Sequence, residues 1–378
     1  MKVAIIADSH FDQTKRFEET IRLHDWIAED CRRRGIDLFE HAGDVFERKS
    51  TELERLAAFS WFQKMADLAP GVVVRGNHDK LDELPALAKL DGHPITVVEE
   101  AAVVEIAGAL IACVAWPRKS ALLAATGSDS HEGSEQLAAE AIRNVLRGLG
   151  DEMRGHDGPT MLLAHAMVRD SVTSTGQPLV GCDMEIGLED LALVGASAYF
   201  LGHIHMSQHW LIAGAPCWYP GSPRRTAFGE LEAKGYLLAT WEGARLVSVE
   251  FIEAPATPMI LVDDEWSADE WRAGAHGLPD SCAGAEIRFR YRVASDQRDA
   301  AHAAAERCRA DWLAEGAICV QVEEQVRLEQ RTRADAIPVH ATLTEKLEAY
   351  WAAKQFDPAD RRSALLSKLR QIEEARAA

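Results

Sequence analysis

The sequence predicts an α/β (α+β) protein in which two packed sheets are flanked by helices, followed by a small β-α-β domain and two C-terminal helices. Three observations predict this fold. Short apolar runs alternate with helical periodicity through the first half, further strand-like runs follow, and a separate strand, helix and strand come after Pro255 and Pro258. The longest apolar runs, such as residues 109–116, are far too short to cross a bilayer, so we expect no membrane span.

The first half of the chain reads as a βαβαβ series. Residues 3–7 are all apolar, which is typical of a strand buried on both faces. Apolar side chains then recur every three or four residues from Phe17 to Cys31, and Gly35 ends this predicted helix. The next strand, helix and strand contain, in that order, Leu38 and Phe39; Leu53, Leu56, Ala57, Met65 and Leu68; and residues 72–74. In such sheets, ligands gather beyond the carboxyl ends of the strands.

The rest of the chain adds strands, a second domain and a helical tail. Further strands are predicted at residues 109–115, 161–164, 199–201, 235–241 and 246–252, which are enough for two sheets. The small domain is predicted from alternating Ile287, Phe289 and Tyr291, a helix at about residues 296–314 and a strand at 318–322. The tail is predicted as two amphipathic helices. The first opens with Thr342 and Glu345 as a capping box, and Asp357-Pro358 opens the second.

Composition and charge limit the function classes. The net charge of −19 excludes a globally basic DNA coat. The seven cysteines are scattered without a CxxC pair, as expected of reduced thiols, and the N-terminus has no signal-peptide pattern. We therefore expect a cytoplasmic protein.

Five polar elements each follow a predicted strand. They are Asp8-Ser9-His10, Gly43-Asp44, Gly76-Asn77-His78-Asp79, His165 and Gly202-His203-Ile204-His205. Each one alone has an ordinary reading as a surface turn or a core histidine. Together, their carboxylate, imidazole and amide groups favour divalent metals such as manganese, iron or zinc.

This ordered set resembles the signature of calcineurin-like metallophosphoesterases. Within that superfamily, Trp218-Tyr219-Pro220-Gly221-Ser222-Pro223, Phe228-Gly229-Glu230 and Lys234-Gly235 are similar to the SbcD-type subunit of bacterial recombination-repair nucleases. The resemblance implies a nuclease domain at residues 1–255, a capping domain for DNA recognition at 256–331, and C-terminal helices at 332–378 that bind an SMC-type coiled-coil ATPase, SbcC. It also implies a homodimer.

The resemblance also implies roles for single residues. One metal would lie between Asp8, His10, Asp44 and His205, and the other between Asp44, Asn77, His165 and His203. Two Mn²⁺ ions are expected, with Fe²⁺, Zn²⁺ or Mg²⁺ as alternatives, and they would generate the nucleophile from water. His78 is predicted to protonate the leaving oxygen or to stabilise the charged phosphorane, with Asp79 orienting it.

The chain departs from the family pattern at one position. Many nuclease members have a second histidine, or an aspartate, shortly after the Gly-Asp motif, where this chain has Glu47. The departure leaves open the balance between exonuclease and endonuclease activity. His41 lies nearby, but its side chain is expected to point elsewhere.

Basic residues and the tail each keep two interpretations. One predicted strand carries arginines at alternating positions: Arg288, Arg290 and Arg292. These side chains form either a solvated face or a contact to the DNA backbone. Further basic stretches are Arg224-Arg225 and residues 32–34. The tail helices either fold back on the parent domain or dock on a partner helix pair. The resemblance favours docking.

Three functions remain open from the sequence. The first is a two-metal nuclease subunit for DNA double-strand break repair. The second is a phosphodiesterase or phosphomonoesterase of the same superfamily that acts on a small molecule. The third is a non-catalytic subunit that tethers DNA ends.

Overall fold

The computed structural model describes residues 1–118, 134–175, 177, 185–266, 281–327 and 342–377. The strands are β1 (Lys2–Ile6), β2 (Leu38–His41), β3 (Gly71–Val74), β4 (Ile95–Val98), β5 (Ala101–Ile106), β6 (Ala109–Val114), β7 (Thr160–His165), β8 (Met167–Val168), β9 (Glu185–Ile186), β10 (Ala198–Gly202), β11 (Gln208–Ile212), β12 (Ala215–Tyr219), β13 (Gly235–Glu242), β14 (Arg245–Glu253), β15 (Met259–Glu265), β16 (Glu286–Ala294) and β17 (Cys319–Arg327). The α-helices are α1 (Phe17–Arg34), α2 (Glu52–Ala66), α3 (Ser134–Met153), α4 (Leu188–Leu191), α5 (Arg298–Ala314), α6 (Leu343–Ala353) and α7 (Arg362–Ala377). Short 3₁₀ turns lie at Leu84–Lys89, Ala192–Val194 and Ala359–Arg361.

Two six-stranded mixed sheets confirm the predicted two-sheet α/β core. The first has the order β14-β13-β1-β2-β3-β4, and its strands β1 to β4 are parallel. The second has the order β11-β12-β10-β7-β6-β5, with β6, β7, β10 and β12 parallel. Antiparallel strands close the edges, except where β4 ends the first sheet. The parallel strands of each sheet therefore bring their carboxyl ends to one edge.

Both faces of each sheet are covered, which explains the continuous apolar runs in the sequence. Val3, Ile5 and Phe200 belong to the apolar cluster between the sheets. On the outer faces, α1 and α2 pack against the first sheet and α3 packs against the second. Four cysteines are buried thiols in the described chain, as the sequence predicts: Cys31, Cys113, Cys217 and Cys282.

The helix boundaries follow local signals in the sequence. Gly35 ends α1 in the left-handed conformation, and Thr51 with Glu54 forms a capping box at the start of α2. Of the apolar residues that predicted α2, Leu53 and Leu56 are 58% and 67% exposed. The buried positions of the helix recur at helical spacing and include Ala58, Trp61, Phe62 and Met65.

The C-terminal part contains a three-stranded sheet of order β15-β16-β17, with α5 between the last two strands in sequence. The predicted β-α-β unit is thus present, with β15 as an additional strand. Thr342 and Glu345 form the predicted capping box of α6. The second tail helix begins later than predicted. Asp357 Oδ1 accepts a hydrogen bond from the Ala359 N–H at 3.0 Å, a 3₁₀ turn follows, and α7 starts at Arg362.

The chain divides into two compact units. One comprises the described residues of Met1–Val262, Gly277–Phe289 and Arg309–Val322, and the other those of Asp263–His276, Arg290–Cys308 and Glu323–Ala378. The domain boundaries drawn from the resemblance remain predictions, and the one at 331/332 falls outside the described residues. In the part of the chain that the structure describes, no helix has both the length and the apolarity of a membrane span.

Candidate metal centre

The five polar elements meet at the carboxyl ends of parallel strands from both sheets. Asp8 and His10 follow β1, Asp44 follows β2, and Asn77 with His78 follows β3. From the second sheet come His165, the last residue of β7, and His203 and His205, which follow β10. All of these residues lie in the first compact unit. The structure therefore brings together every residue that the sequence analysis singled out as a metal ligand.

Two buried groups of possible ligands share this edge. In the first, one ligand atom from each of Asp8, His10 and His205 lies within 4.8 Å of the others, and the Nε2 atoms of the two histidines are 3.0 Å apart. In the second, the same holds for Asp44, His165 and His203.

Asp44 and Asn77 link the histidines of these groups. Asp44 Oδ2 is 3.3 Å from His165 Nε2 and 3.9 Å from His10 Nε2, so this carboxylate lies between the two groups. Asn77 Oδ1 is 2.8 Å from His165 Nε2 and 3.1 Å from His203 Nδ1. A carboxylate in this position suits the bridging role predicted for Asp44.

The backbone at the site is held in an unusual conformation. Asp8, His10 and Asp44 have φ angles of +53°, +44° and +54°, and His203 has φ of +108°. Such conformations are uncommon for residues other than glycine and persist only where the surroundings fix them. Hydrogen bonds do so here: the Asp8 N–H donates to Gly43 O, and the His203 N–H donates to Asp8 Oδ1 at 2.9 Å. The strain fits a site whose side-chain directions matter.

Two of the predicted glycines allow backbones to approach closely. A Cβ on Gly76 would lie 2.1 Å from Asp44 Oδ1, and a Cβ on Gly202 would lie 2.1 Å from Ala42 O. No larger residue fits at either place without displacing a ligand-bearing turn.

Three site histidines have their Nδ1 atoms directed at a partner away from the centre. His165 Nδ1 donates to Ala42 O at 2.7 Å, His78 Nδ1 donates to Glu47 O at 2.7 Å, and His10 Nδ1 lies 2.9 Å from Glu47 Oε2. A committed Nδ1 leaves Nε2 to face the centre, which is how partners of metal-binding histidines fix the ring. Glu47, which the sequence analysis treated as a departure, therefore contacts two site histidines, one through its side chain and one through its carbonyl.

Charge at the site is set by burial and by the carboxylates together. Burial alone would lower the pKa of His165, but Asp44 and Asp8 raise it to about 9. Burial also opposes a charge on His10, whereas Glu47 and Asp44 raise its pKa. Burial raises the pKa of Asp8 to about 6. The pKa of Asp44 is held below its usual range by His165, although burial acts in the opposite direction.

The donor set fits divalent cations. His10 and His205 present their Nε2 atoms to each other at 3.0 Å, a separation that needs a proton or a cation between two lone pairs. Burial lowers the pKa of His203 to about 3 and that of His205 well below its usual value, so both imidazoles are neutral, as a metal ligand must be. Mixed nitrogen and oxygen donors without thiolate suit manganese, iron or zinc.

The predicted pairing of His78 with Asp79 is wrong. Asp79 is buried, and its carboxylate accepts hydrogen bonds from the Phe46 and Gly76 N–H groups, both at 2.9 Å. The His78 ring is instead oriented by the Glu47 carbonyl. Neighbouring residues in a tight turn point in different directions, so Asp79 fixes the two ligand-bearing turns rather than the histidine. Burial raises the pKa of Asp79 to about 6.

The predicted basic stretches are engaged within the protein. Arg288, Arg290 and Arg292 do share one half-exposed face of β16, but Arg290 and Arg292 pair with Asp263, and Arg290 also pairs with Glu323. The guanidinium of Arg288 lies over the Phe228 ring. Buried Arg224 donates to His10 O, and Arg225 donates to the carbonyls of Glu230 and Ala256, so neither reaches outward. Arg33 and Arg34 pair with Asp30 on their own helix.

A buried set of carboxylate, imidazole and amide groups at the carboxyl ends of strands from two sheets defines the class of binuclear metal hydrolases. The family model of calcineurin-like phosphoesterases matches residues 1–207. The chain belongs to this family, whose members are phosphoesterases with a dimetal centre.

Individual relatives are more distant. The DNA double-strand break repair protein Mre11 of Methanopyrus kandleri is 24% identical over 288 residues, which are 72% of this chain and 60% of that protein. The chain thus matches less than two thirds of that relative's length. A dimetal phosphatase from Danio rerio is 10% identical with a TM-score of 0.44, over 67% of this chain and 97% of that one. GAP50, the anchor in the inner membrane complex of Plasmodium, is 11% identical with a TM-score of 0.41, over 67% of this chain and 89% of that one.

Proposed function

We propose that this chain is a two-metal phosphodiesterase that acts as the nuclease subunit of an SbcCD-type DNA double-strand break repair complex, with both exonuclease and endonuclease activity. The observation that carries the proposal is the pair of buried ligand groups on either side of Asp44, with His78 directly beside them. Family membership supports the phosphoesterase chemistry. The likeness to a break-repair protein supports DNA as the substrate.

Asp8, His10, Asp44 and His205 would hold one cation, and Asp44, Asn77, His165 and His203 the other; we propose Mn²⁺, with Fe²⁺, Zn²⁺ or Mg²⁺ as alternatives. When bound, the two cations lower the pKa of water and neutralise charge on a phosphate ester. The chain's own contribution is to aim these ligands through the turns fixed by Asp79 and by the close-packed glycines.

His78 is the proposed general acid. Its backbone N–H donates to Asp44 Oδ1 at 2.9 Å, which places the residue beside the centre. Its Nδ1 donates to the Glu47 carbonyl, so Nε2 carries the second proton when the ring is charged. That proton can pass to the leaving oxygen or stabilise charge on the phosphorane.

The proposal extends to partners and layout. Residues 256–331 would recognise DNA, and residues 332–378 would bind an SMC-type coiled-coil ATPase of the SbcC kind. Exposed apolar side chains on and between α6 and α7 support such docking: Tyr350, Phe356, Leu365 and Ile372. A homodimer and a cytoplasmic location belong to the same proposal.

The test is Mn²⁺-dependent cleavage of end-labelled linear DNA and of closed circular DNA by the wild type and by His78→Ala, with and without the ATPase. We expect the wild type to cut and the variant to cut 10²–10⁴-fold more slowly, as for the loss of a general acid, where the typical contribution is about that size. Equal cleavage by the wild type and by His78→Ala, or no cleavage by the wild type, would overturn the proposal.

The engagement of Arg290 and Arg292 by acidic partners, together with the net charge of −19, favours a second candidate function. In this alternative the same centre hydrolyses a small phosphodiester or phosphomonoester. Turnover of a cyclic nucleotide or of a chromogenic phosphodiester, without cleavage of DNA, would establish it.

Partner binding has its own test. Deleting residues from Thr342 onward should remove binding to the ATPase while leaving hydrolysis of a chromogenic phosphodiester unchanged, because every proposed metal ligand lies in the first compact unit. Co-purification with the ATPase measures the first effect. Undiminished complex formation after the truncation would show that the tail has another role.

A further inference from the structure

A buried ion pair lies beside the metal centre, within the segment that carries the SbcD-type resemblance. Lys234 Nζ is 2.7 Å from Glu230 Oε2, and both side chains are fully buried. Removing two charges from water is unfavourable unless further hydrogen bonds satisfy them, so such a pair is weak evidence for stability alone. Its surroundings indicate what else it does.

Glu230 closes the loop that starts at Thr226. Its Oε1 accepts the Thr226 hydroxyl hydrogen bond at 2.6 Å and the Ala227 N–H at 3.1 Å, while Oε2 accepts the Thr226 N–H at 3.1 Å. The Thr226 hydroxyl therefore donates its only proton in the hydrogen bond to Glu230. Its oxygen can then only accept from other groups.

The group that faces this oxygen is the imidazole of His205, whose Nδ1 lies 3.3 Å from Thr226 Oγ1. Since the hydroxyl can only accept, the proton of the imidazole sits on Nδ1. His205 Nε2 is then left unprotonated, and it faces His10 Nε2 at 3.0 Å in the centre. The carboxylate of Glu230 thus fixes the tautomer of His205 through one intervening hydroxyl.

Lys234 fixes the backbone of the same residue. Its Nζ donates to His205 O at 3.0 Å, and it also contacts Glu232 Oε1 at 2.9 Å. A side-chain network and a backbone contact therefore meet at one proposed ligand. Glu230 and Lys234 neutralise each other's charge. Through Thr226 and through the His205 carbonyl, the pair contacts both the imidazole and the backbone of His205.

We propose that Thr226, Glu230 and Lys234 are positioning residues for His205, holding its Nε2 unprotonated and directed at the cation bound with Asp8 and His10. This inference rests on the proposed two-metal function. It assigns a role to the Phe228-Gly229-Glu230 and Lys234-Gly235 motifs, whose residues lie 23 to 30 positions after His205 in the chain. Partners of this kind typically account for about 10–100-fold in metal affinity or activity.

The experiment measures Mn²⁺ binding to the full chain by isothermal titration calorimetry for the wild type, Thr226→Val and Thr226→Ser. Valine keeps the shape of threonine and removes the hydroxyl, whereas serine keeps the hydroxyl. We expect Thr226→Val to weaken one of the two sites about 10–100-fold, to leave the other unchanged, and Thr226→Ser to bind like the wild type. Thr240→Val, at a half-buried strand position in β13, is the matched control.

A purely structural role gives a different result. If Thr226→Val lowers the unfolding temperature but binds both cations with wild-type affinity, the inference is overturned. Glu230→Gln should weaken the same site as Thr226→Val; loss at the other site instead would contradict the assignment to His205. Circular dichroism establishes that each variant is folded before its binding is interpreted.

The same samples separate this inference from the proposed function. A wild type that binds two cations but does not cut DNA removes the nuclease proposal, while the site-selective loss in Thr226→Val would still support the positioning role. A wild type that cuts DNA, beside a Thr226→Val variant with unaltered binding, removes the positioning role alone.

Discussion

Two pairs of buried histidines lie within one compact unit and have opposite acid–base properties. In the metal centre, His10 and His165 face carboxylates, and the pKa of each is raised. In a second group, His24 and His41 face each other through the hydroxyl of Ser9; we call these three residues the histidine chain. Burial lowers the pKa of His24 to about 4 and that of His41 to about 3.

The protons of the histidine chain have a fixed order. His24 Nδ1 donates to Thr20 O at 2.7 Å, so its Nε2 accepts the Ser9 hydroxyl hydrogen bond, also at 2.7 Å. Ser9 Oγ in turn accepts from His41 Nε2 at 2.8 Å, and His41 Nδ1 accepts the Gly43 N–H at 3.3 Å. Every member is neutral and has a partner. The histidine chain connects the turn that carries Asp8 and His10 with the turn that carries Asp44.

The comparison shows what determines charge in this interior. All four imidazoles are almost completely buried, so burial alone would make all four neutral. Of these four, His10 and His165 have raised pKa values because Glu47 and Asp44 act on His10, and Asp44 and Asp8 act on His165. The carboxylates therefore offset the effect of burial at His10 and His165, whereas His203 and His205 in the same centre, and both histidines of the histidine chain, stay neutral.

We expect the largest effect on the contrast between the two histidine pairs from removing the carboxylate of Asp44. Asp44→Asn keeps the shape of the side chain but leaves His165 and His10 without their shared anion, so we expect loss of bound metal and loss of turnover. The measurements are Mn²⁺ content after gel filtration and hydrolysis of a chromogenic phosphodiester.

His78→Ala is the matched variant for Asp44→Asn. It should retain metal and lose 10²–10⁴-fold in turnover, about the typical contribution of a general acid. Equal metal loss in the two variants would contradict the separate roles of ligand and acid.

A smaller effect is expected from breaking the histidine chain. Ser9→Ala leaves a buried donor on His41 and a buried acceptor on His24 without a partner, and each unsatisfied group costs about 1–3 kcal/mol. We expect the free energy of unfolding to fall by about 3 kcal/mol, measured by urea denaturation at pH 7.5. Ser60→Ala, at an exposed position of α2, should change it by less than about 0.5 kcal/mol. If the Ser9→Ala variant is as stable as the Ser60→Ala variant, the histidine chain does not have the structural role assigned to it.

The sequence predicted which residues meet at the candidate metal centre better than it predicted the contacts that support them, and the reason is physical. Turns that carry the proposed ligands follow apolar strands, and an apolar run that leads into such a turn is visible without knowing the fold. The first three strands were predicted in this way, and α1 and α2 were predicted from apolar residues at helical spacing. The strands β11 and β12 were not predicted, because half-exposed segments such as Gln208–Ile212 have little apolar contrast.

Contacts around the ligands depend on geometry that no local pattern records. Asp79 follows His78 directly but binds backbone groups, while Glu47, 31 residues earlier, orients the ring. Thr226 reaches His205 only because a loop folds back across 21 residues. Every residue has a backbone carbonyl, and threonine hydroxyls are common, so no local sequence pattern marks these partners.

The pH dependence of stability gives the finest test of the comparison. A histidine whose pKa is lowered in the folded state takes up its proton first in the unfolded chain, so stability falls as the pH drops below the usual value of 6.5 and continues to fall toward the folded pKa of about 4 for His24. The slope is about 1.4 kcal/mol per pH unit for each such group. His24→Gln removes this titration, so between pH 6.5 and 5 the wild type should lose about 2 kcal/mol more than the variant in urea denaturation. If the two slopes are the same, His24 is not held neutral by burial, and the contrast with His165 loses its basis.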